Sequence, residues 1–212
     1  MNSFNRILIL APHTDDGEFS CGGSIARFID EGKECYYAAF SSCDESVPYG
    51  YPKGVLIDEL KKATSLLGIK DECRIIFNYK VREFPHYRQE ILEEMVKLNK
   101  ELKPDLLLLP TKYDTHQDHN VIAAEGFRAF KKCSMLGYEV PWNNLTFISS
   151  GFIEINSEHL KKKVDALKCY ESQSDKDYAS EQYIRSLALT RGVQFGVQYA
   201  EAFEVIRSIM RL

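Results

Sequence analysis

Short aliphatic runs alternate along the chain with longer segments in which apolar residues recur at helical spacing. Strand-like runs stand at residues 6–11, 35–40, 74–77 and 106–110. The runs at 35–40 and 106–110 are apolar at successive positions, which is typical of central strands buried on both faces. Since strands and helices alternate, the pattern predicts a Rossmann-like α/β fold with a mostly parallel sheet flanked by helices.

The helical segments are bounded by glycine and proline. Gly32 and Gly68 follow the first two segments and Pro104 follows the third, as expected at helix ends. Two more strands are predicted at residues 146–150 and 202–207, although the second also fits a helix. The predicted helices cover residues 22–31, 56–67, 89–102, about 120–132, 157–170 and 178–190.

One long segment, residues 41–54, carries no regular period. It contains two prolines, two glycines and two tyrosines, and glycine and proline are typical of loops. Because it follows a strand, we expect it at the same sheet edge as the loop after the first strand. We interpret it as a candidate wall for a substrate, with an ordinary surface loop as an equally good alternative.

Length and charge narrow the function classes. At 212 residues one sizeable core is sufficient, so we expect a single domain over residues 1–212. The 31 acidic and 27 basic side chains give a formal net charge of −4, which provides no field to attract nucleic acid. No apolar run is long enough to cross a bilayer, and residues 1–6 do not resemble a signal peptide. We therefore expect no nucleic-acid partner and no membrane segment.

The six cysteines are scattered, without a Cys-x-x-Cys pair, and several lie within apolar runs, where a thiol behaves as a small hydrophobic group. Reduced thiols are typical of the cytoplasm, and we expect the protein there. The cysteines are Cys21, Cys35, Cys43, Cys73, Cys133 and Cys169.

Two polar clusters follow predicted central strands. His13, Asp15 and Asp16 come directly after the first strand, and residues 114–119 (Asp-Thr-His-Gln-Asp-His) follow the run at 106–110. Because the carboxyl ends of parallel strands meet at one edge of the sheet, both clusters are expected to open onto one crevice.

The residue types in these clusters fit a catalytic zinc site. Such a site takes three ligands from His, Asp and Glu, and His13, Asp16 and His119 supply them. Asp15 then has no ligand duty and suits a general base that takes a proton from water. Asp118 or the backbone is expected to orient a histidine by accepting its second ring proton.

Plainer interpretations stay open for each of these features. The Asp15-Asp16 pair is also typical of a helix N-cap, and residues 114–119 also fit a capped helix start with solvated imidazoles. Gly17, Gly22 and Gly23 lack the Gly-x-Gly-x-x-Gly spacing of a dinucleotide-binding turn, so such a domain is the weakest interpretation. Two further features suggest no chemistry: Cys21 is expected to be a packed thiol, and Lys161-Lys162-Lys163 a solvated helix face.

Together the clusters resemble the motifs of the PIG-L/LmbE family of zinc-dependent N-deacetylases, which remove acetyl groups from N-acetylglucosaminyl compounds and related amides. The likeness begins at residues 12–18 (Pro-His-Thr-Asp-Asp-Gly-Glu) and continues through 21–26. It resumes at the His-Gln-Asp-His element of 116–119, and residues 199–204 are also similar. The resemblance therefore spans most of the chain.

The resemblance implies a role for each site residue. His13, Asp16 and His119 would be the zinc ligands and Asp15 the general base. His116 would stabilise the oxyanion or act as the acid, held by Asp118. The implied reaction is attack of zinc-activated water on an amide carbonyl, and Fe²⁺ could replace Zn²⁺ at a site of this composition.

Three positions depart from the common family pattern. Thr14 stands where proline usually follows the histidine, and Gly17 moves Glu18 one place along. Leu56 stands three residues before Glu59, where many members carry an arginine. The role of Glu18 and the contacts of that arginine therefore do not transfer from the family.

The sequence thus predicts hydrolysis of the N-acyl, typically N-acetyl, amide of an amino sugar or sugar conjugate. Hydrolysis of a small-molecule partner of this kind needs both Asp15 and His116. The alternative interpretation is a catalytically inactive, metal-stabilised sugar-binding module, which needs neither residue. Assembly into a homo-oligomer is expected only on general grounds.

Overall fold

The computed structural model describes residues 4–210. The expectation about a signal peptide concerns residues 1–6, and of these residues 1–3 lie outside the described part. Among residues 4–210, no helix combines the length and apolar character that a membrane crossing requires. All six cysteines lie in the described part and are free thiols.

Within residues 4–210, seven strands form one sheet. They are β1 (Arg6–Ala11), β2 (Glu34–Ala39), β3 (Arg74–Ile76), β4 (Leu106–Pro110), β5 (Ser134–Tyr138), β6 (Gly151–Ile155) and β7 (Tyr199–Arg207). Their order is β3-β2-β1-β4-β5-β7-β6. The first five are parallel to one another, whereas β7 runs antiparallel to both β5 and β6. The mostly parallel α/β sheet is therefore confirmed.

In the part of the chain that the structure describes, six α-helices cover the two faces of this sheet. They are α1 (Asp16–Asp30), α2 (Val55–Leu67), α3 (Arg88–Leu102), α4 (Gln117–Ala129), α5 (Ser157–Leu167) and α6 (Glu181–Phe195). Because successive side chains of a strand point to opposite faces, Ile7 and Ile9 of β1 join the core under α1, α2 and α5. Leu8 and Leu10 join the core under α3 and α4. The strand is buried on both sides, as its aliphatic sequence requires.

The largest departures from the predicted elements are at the first helix and the fifth strand. The first helix begins at Asp16 rather than at residue 22, and its backbone is not helical at Cys21 (φ −140°), so the predicted segment is the part that follows this kink. Residues 146–150 form no strand: the chain is irregular there and pairs regularly only from Gly151. The strand that was not predicted, β5, is short and includes Gly137, so it lacks the aliphatic run that identified β4.

The last strand, β7, is hydrogen-bonded to α1 through Glu201. Glu201 of β7 accepts hydrogen bonds from the Gly23 amide at 3.0 Å and the Ser24 amide at 2.6 Å. A Cβ on Gly23 would lie 2.7 Å from Ile155 Cδ1 and 3.2 Å from Glu201 Oε1, so a larger residue would have to displace these side chains. Lys163 completes the cluster with an ion pair to Glu201 at 2.6 Å. The prediction that residues 161–163 form a solvated face is therefore wrong for Lys163, which is buried.

Candidate metal centre

The two polar clusters meet because their strands are neighbours. β1 pairs with β4 in parallel, with Ile7 opposite Leu106 and Ile9 opposite Leu108. Both strands end at the same edge, so the loop that carries His13 and the loop that leads to α4 lie side by side there. The expectation that the two clusters open onto one crevice is confirmed.

Three donor atoms form a nearly equilateral triangle in this crevice. His13 Nδ1 lies 3.2 Å from Asp16 Oδ2, and His119 Nε2 lies 3.2 Å from the same oxygen. The two nitrogens are themselves 3.2 Å apart. Ligands at about 2.0 to 2.2 Å from a tetrahedral metal are separated by roughly 3.3 to 3.6 Å. The donor set and its spacing therefore fit a divalent metal ion.

Each histidine of the triangle is held through its other nitrogen. His13 Nε2 lies 3.0 Å from Asp118 Oδ2, and His119 Nδ1 lies 2.7 Å from Asp114 Oδ2. A carboxylate on one ring nitrogen fixes the proton there and leaves the opposite nitrogen free to coordinate. Asp114 has this role without having been singled out from the sequence, where only its place in the second cluster was a signal.

The electrostatics of the triangle favour positive charge. Burial opposes ionisation of Asp16, but His119 and His13 outweigh it and hold the pKa of Asp16 well below its usual value. Burial also lowers the pKa of His119, yet Asp16 and Asp114 raise it to about 10. The surroundings therefore stabilise a positive charge between these side chains, and either a proton or a metal ion can supply it.

Asp15 lies beside the triangle at the N-cap position of α1. Its side chain makes no capping hydrogen bond to the helix, so the plain N-cap interpretation does not describe it. Burial, together with the neighbouring charge of Asp16, raises the pKa of Asp15 to about 6. A carboxyl group with a pKa near neutrality that is not used in a cap is suited to exchange protons.

His116 has a different environment from the other two histidines. It is the N-cap of α4, where its Nδ1 accepts the Asp118 amide at 3.2 Å. Burial and the nearby His119 and His13 lower the pKa of His116 to about 4, so the neutral ring carries its proton on Nε2. The expected contact with the Asp118 side chain is replaced by this main-chain bond, because the Asp118 carboxylate faces His13.

The three imidazoles also form a wider group. One ring nitrogen from each of His13, His116 and His119 lies within 4.8 Å of the others. This set is looser than the 3.2 Å triangle that contains Asp16, and Nδ1 of His116 is already an acceptor for the helix. The tighter set has the spacing of a coordination sphere.

The histidines line an open cleft of about 310 Å³. We call the part formed by His13, Asp15, Asp16, His116 and His119 the inner cleft. Five other lining residues, which we call the outer cleft, are Ser46, Arg82, Trp142, Asn143 and Tyr178. Trp142 and Tyr178 stack at 4.1 Å between ring centroids. None of these five outer residues was singled out individually from the sequence.

The loop at residues 41–54 contributes less than expected. Cys43 and Ser46 line the cleft, which agrees with its interpretation as a wall. Tyr49 is fully exposed, and neither Tyr49 nor Tyr51 belongs to the lining. The tyrosines of this loop are therefore not where a substrate in the cleft would lie.

Glu18 lies behind the inner cleft rather than in it. It is fully buried and bonded to two tyrosines: Tyr37 donates to one carboxyl oxygen, and the Tyr170 hydroxyl lies 2.8 Å from the other. Burial raises the pKa of Glu18 to about 8. The Tyr170 hydroxyl also donates to the carbonyl oxygen of Thr14. Through this bond to Thr14, the cluster holds the loop between His13 and Asp16 in place.

Gly17 and Cys21 have structural explanations. A Cβ on Gly17 would lie 2.5 Å from Cε2 of Tyr37, so the glycine makes room for the ring that holds Glu18. The Cys21 thiol contacts the Gly17 carbonyl at 3.2 Å, and burial holds the pKa of Cys21 well above its usual value. Cys21 is therefore a packed thiol, as expected.

Comparison with known proteins identifies relatives along the whole chain. The chain is 25% identical over 232 residues to the diacetylchitobiose deacetylase of Thermococcus kodakarensis, with 98% of this chain and 85% of that protein covered. The structure is similar to that of the N,N'-diacetylchitobiose deacetylase from Pyrococcus horikoshii. That match has a TM-score of 0.80 and 21% identity, over 96% of this chain and 84% of the other.

The fold alone does not determine the reaction. The 4-carboxy-2-hydroxymuconate hydratase from Pseudomonas putida has the same fold, with a TM-score of 0.78 and 18% identity over 98% of this chain and 99% of the other. The family assignment comes instead from the sequence, since the family model described as PIG-L, GlcNAc-PI de-N-acetylase, matches residues 8–130. That match includes both clusters of the inner cleft and more than half of the chain, and the chain therefore belongs to the PIG-L family.

Proposed function

We propose that the protein is a zinc-dependent hydrolase that removes the N-acetyl group from an amino sugar or a sugar conjugate. Deacetylation of sugar-type substrates is supported by the description of the family and by the diacetylchitobiose deacetylase relative. The observation that carries the proposal is the 3.2 Å triangle of His13 Nδ1, His119 Nε2 and Asp16 Oδ2. We propose these three residues as the metal ligands.

The metal would supply Lewis-acid chemistry: it polarises the amide carbonyl and lowers the pKa of water at the site. Zinc suits two imidazoles and a carboxylate, and Fe²⁺ is the alternative metal for the same donors. Asp118 and Asp114 keep the two imidazoles in the tautomers that coordinate.

Asp15 is proposed as the general base. It takes a proton from the water whose oxygen bonds to the amide carbon, and its pKa of about 6 suits proton transfer near neutral pH. When the carbon–nitrogen bond breaks, the amine leaves with the proton that Asp15 took up from the water. The products are the free amino sugar and acetate, so one water is consumed for each amide cleaved.

His116 is proposed to stabilise the oxyanion through Nε2–H. Its Nδ1 is occupied by the Asp118 amide, so the remaining donor is directed by the ring orientation that α4 sets. Removal of one such donor typically costs about 100- to 1,000-fold in turnover. Asp118 then has two functions, since its carboxylate orients His13 and its amide orients His116.

We propose that the whole chain acts as one catalytic domain in the cytoplasm, where six free thiols are expected to stay reduced. A homo-oligomer stays a prediction, which light scattering on the purified protein tests.

The function is tested by measuring amine and acetate release from N-acetylglucosamine and N,N'-diacetylchitobiose, with the zinc-loaded protein. We expect release of both products in equal amounts, and none after treatment with a chelator. Hydration of 4-carboxy-2-hydroxymuconate is assayed in parallel, because a protein with this fold is named for that reaction. Hydration without acetate release would contradict the proposed deacetylase.

A further inference from the structure

The outer cleft contains an arginine that has no ionic partner. Arg82 is the only lysine or arginine among the described residues that line the cleft. Its side chain is exposed, and within residues 4–210 no carboxylate lies within ion-pair distance of its guanidinium. The neighbouring Glu83 is already paired with Lys80, so a fixed positive charge faces the cleft without compensation.

This isolation distinguishes Arg82 from the other arginines of the described part. Arg207 donates to the Phe130 carbonyl at 3.2 Å and lies over the Phe127 ring. The remaining arginines are all paired with carboxylates: Arg6, Arg27, Arg74, Arg88, Arg128, Arg185 and Arg191. An arginine is strongly suited to bidentate binding of carboxylate or phosphate, so an unpaired one in a cleft has unused binding capacity.

The backbone of Arg82 is anchored to the inner cleft. Its amide donates to Asp118 Oδ2 at 2.6 Å, the same oxygen that holds His13 Nε2 at 3.0 Å. The φ angle of Arg82 is +69°, in the left-handed region that disfavours side chains with a Cβ. Such a conformation persists where surrounding contacts determine it, and it is frequent at ligand-binding sites. The position of Arg82 is therefore coupled directly to the residues proposed to bind the metal.

The cleft has the volume to hold one small molecule beside both Arg82 and the histidines. Arg82 and the histidines line the same cleft of about 310 Å³, which is the volume of a site for a single small molecule. We infer that Arg82 binds an anionic group, a carboxylate or a phosphate, carried by the same substrate molecule whose N-acetyl group lies in the inner cleft. This inference rests on the proposed function and narrows its substrate class to acidic amino-sugar derivatives.

The test compares neutral and acidic substrates with one variant. The zinc-loaded wild-type protein and Arg82→Gln are assayed for acetate release from N-acetylglucosamine, N-acetylglucosamine 6-phosphate, N-acetylglucosamine 1-phosphate and N-acetylmuramic acid. The glutamine keeps the main-chain bond to Asp118 and removes the guanidinium group with its charge. We expect a wild-type preference for at least one acidic substrate, and Arg82→Gln to lower that preference by about 10- to 100-fold, mostly through KM.

Two further variants complete the design. Arg82→Lys keeps the charge without the bidentate geometry and is expected to recover part of the preference. Arg185→Gln removes a half-buried arginine paired with Glu181, outside the cleft, and is the matched control, expected to leave activity unchanged. The phosphate and lactyl carboxylate substrates show which anion Arg82 selects.

The outcomes separate this inference from the function on which it rests. Acetate release from the neutral sugar, without a preference for any acidic one, overturns the anion site and leaves the deacetylase intact. An equal loss on neutral and acidic substrates in Arg82→Gln also overturns it, since that result indicates a structural role. Absence of acetate release from every substrate contradicts the deacetylase, and the anion site with it.

Discussion

The two parts of the cleft are built differently. In the inner cleft, Asp16 and His119 are buried, and each histidine proposed as a ligand is held by a second carboxylate: His119 is 1% exposed and bonded to Asp114. In the outer cleft, Trp142 is 40% exposed and Arg82 has no ionic partner within the described residues. Groups that perform chemistry need fixed geometry, whereas groups that select a substrate need access to solvent. We therefore propose that catalysis and substrate selection are divided between the two parts of one cleft.

The largest effect on turnover short of metal loss is expected at Asp15. Asp15→Asn keeps the shape of the side chain but cannot take up the proton, so we expect kcat to fall by about 100- to 10,000-fold. Metal content and thermal stability are expected to stay at the wild-type level, because Asp15 makes no capping bond and lies outside the ligand triangle. Full activity in this variant would remove Asp15 as the base.

A smaller effect is expected from the carboxylates behind the ligands. Asp114→Asn exchanges the acceptor of the His119 Nδ1 proton for an amide and weakens control of the tautomer. We expect a loss of about 10- to 100-fold in metal affinity or activity, measured by competition with a chromophoric chelator and by acetate release. Asp118→Asn is the matched variant for His13. Unchanged metal affinity in both would show that these carboxylates do not tune the site.

The smallest effect on chemistry is expected in the outer cleft. Trp142→Ala removes a ring that stacks on Tyr178 and lies edge-on to Phe19, and we expect KM to rise by about twofold to tenfold with little change in kcat. Tyr49→Ser is the control, because Tyr49 is fully exposed and outside the lining. We expect it to change stability by less than about 0.5 kcal/mol. A larger effect of Trp142→Ala on kcat than on KM would contradict the division of catalysis and substrate selection between the two parts of the cleft.

The inner cleft was accessible to sequence reasoning because its residues follow strands with a clear pattern. β1 and β4 are aliphatic at every buried position, so their ends and the polar residues after them could be located. The pairing of Asp114 with His119 was not accessible. Asp114 and Asp118 both stand close to histidines in the sequence, and only the folded chain shows that Asp114 faces His119 and Asp118 faces His13.

The outer cleft and the end of the chain were less predictable for a physical reason. Trp142 and Tyr178 lie far apart in the sequence, and their stacking depends on how the segments around β5 and before α6 pack on α1. Lys163 has the same difficulty: a run of three lysines is typical of a solvated face, yet the third one reaches Glu201 of β7. Long-range pairs of this kind leave no local periodicity to detect.

The central claim is that His13, Asp16 and His119 hold a catalytic metal. It is tested most directly by measuring the metal content of the protein purified without a histidine tag and loaded with Zn²⁺, beside His119→Ala prepared in the same way. The account predicts about one equivalent of metal per chain in the wild type, its loss in the variant, and loss of acetate release with it. A wild-type protein that binds no metal, or a variant that keeps both metal and activity, would contradict the account.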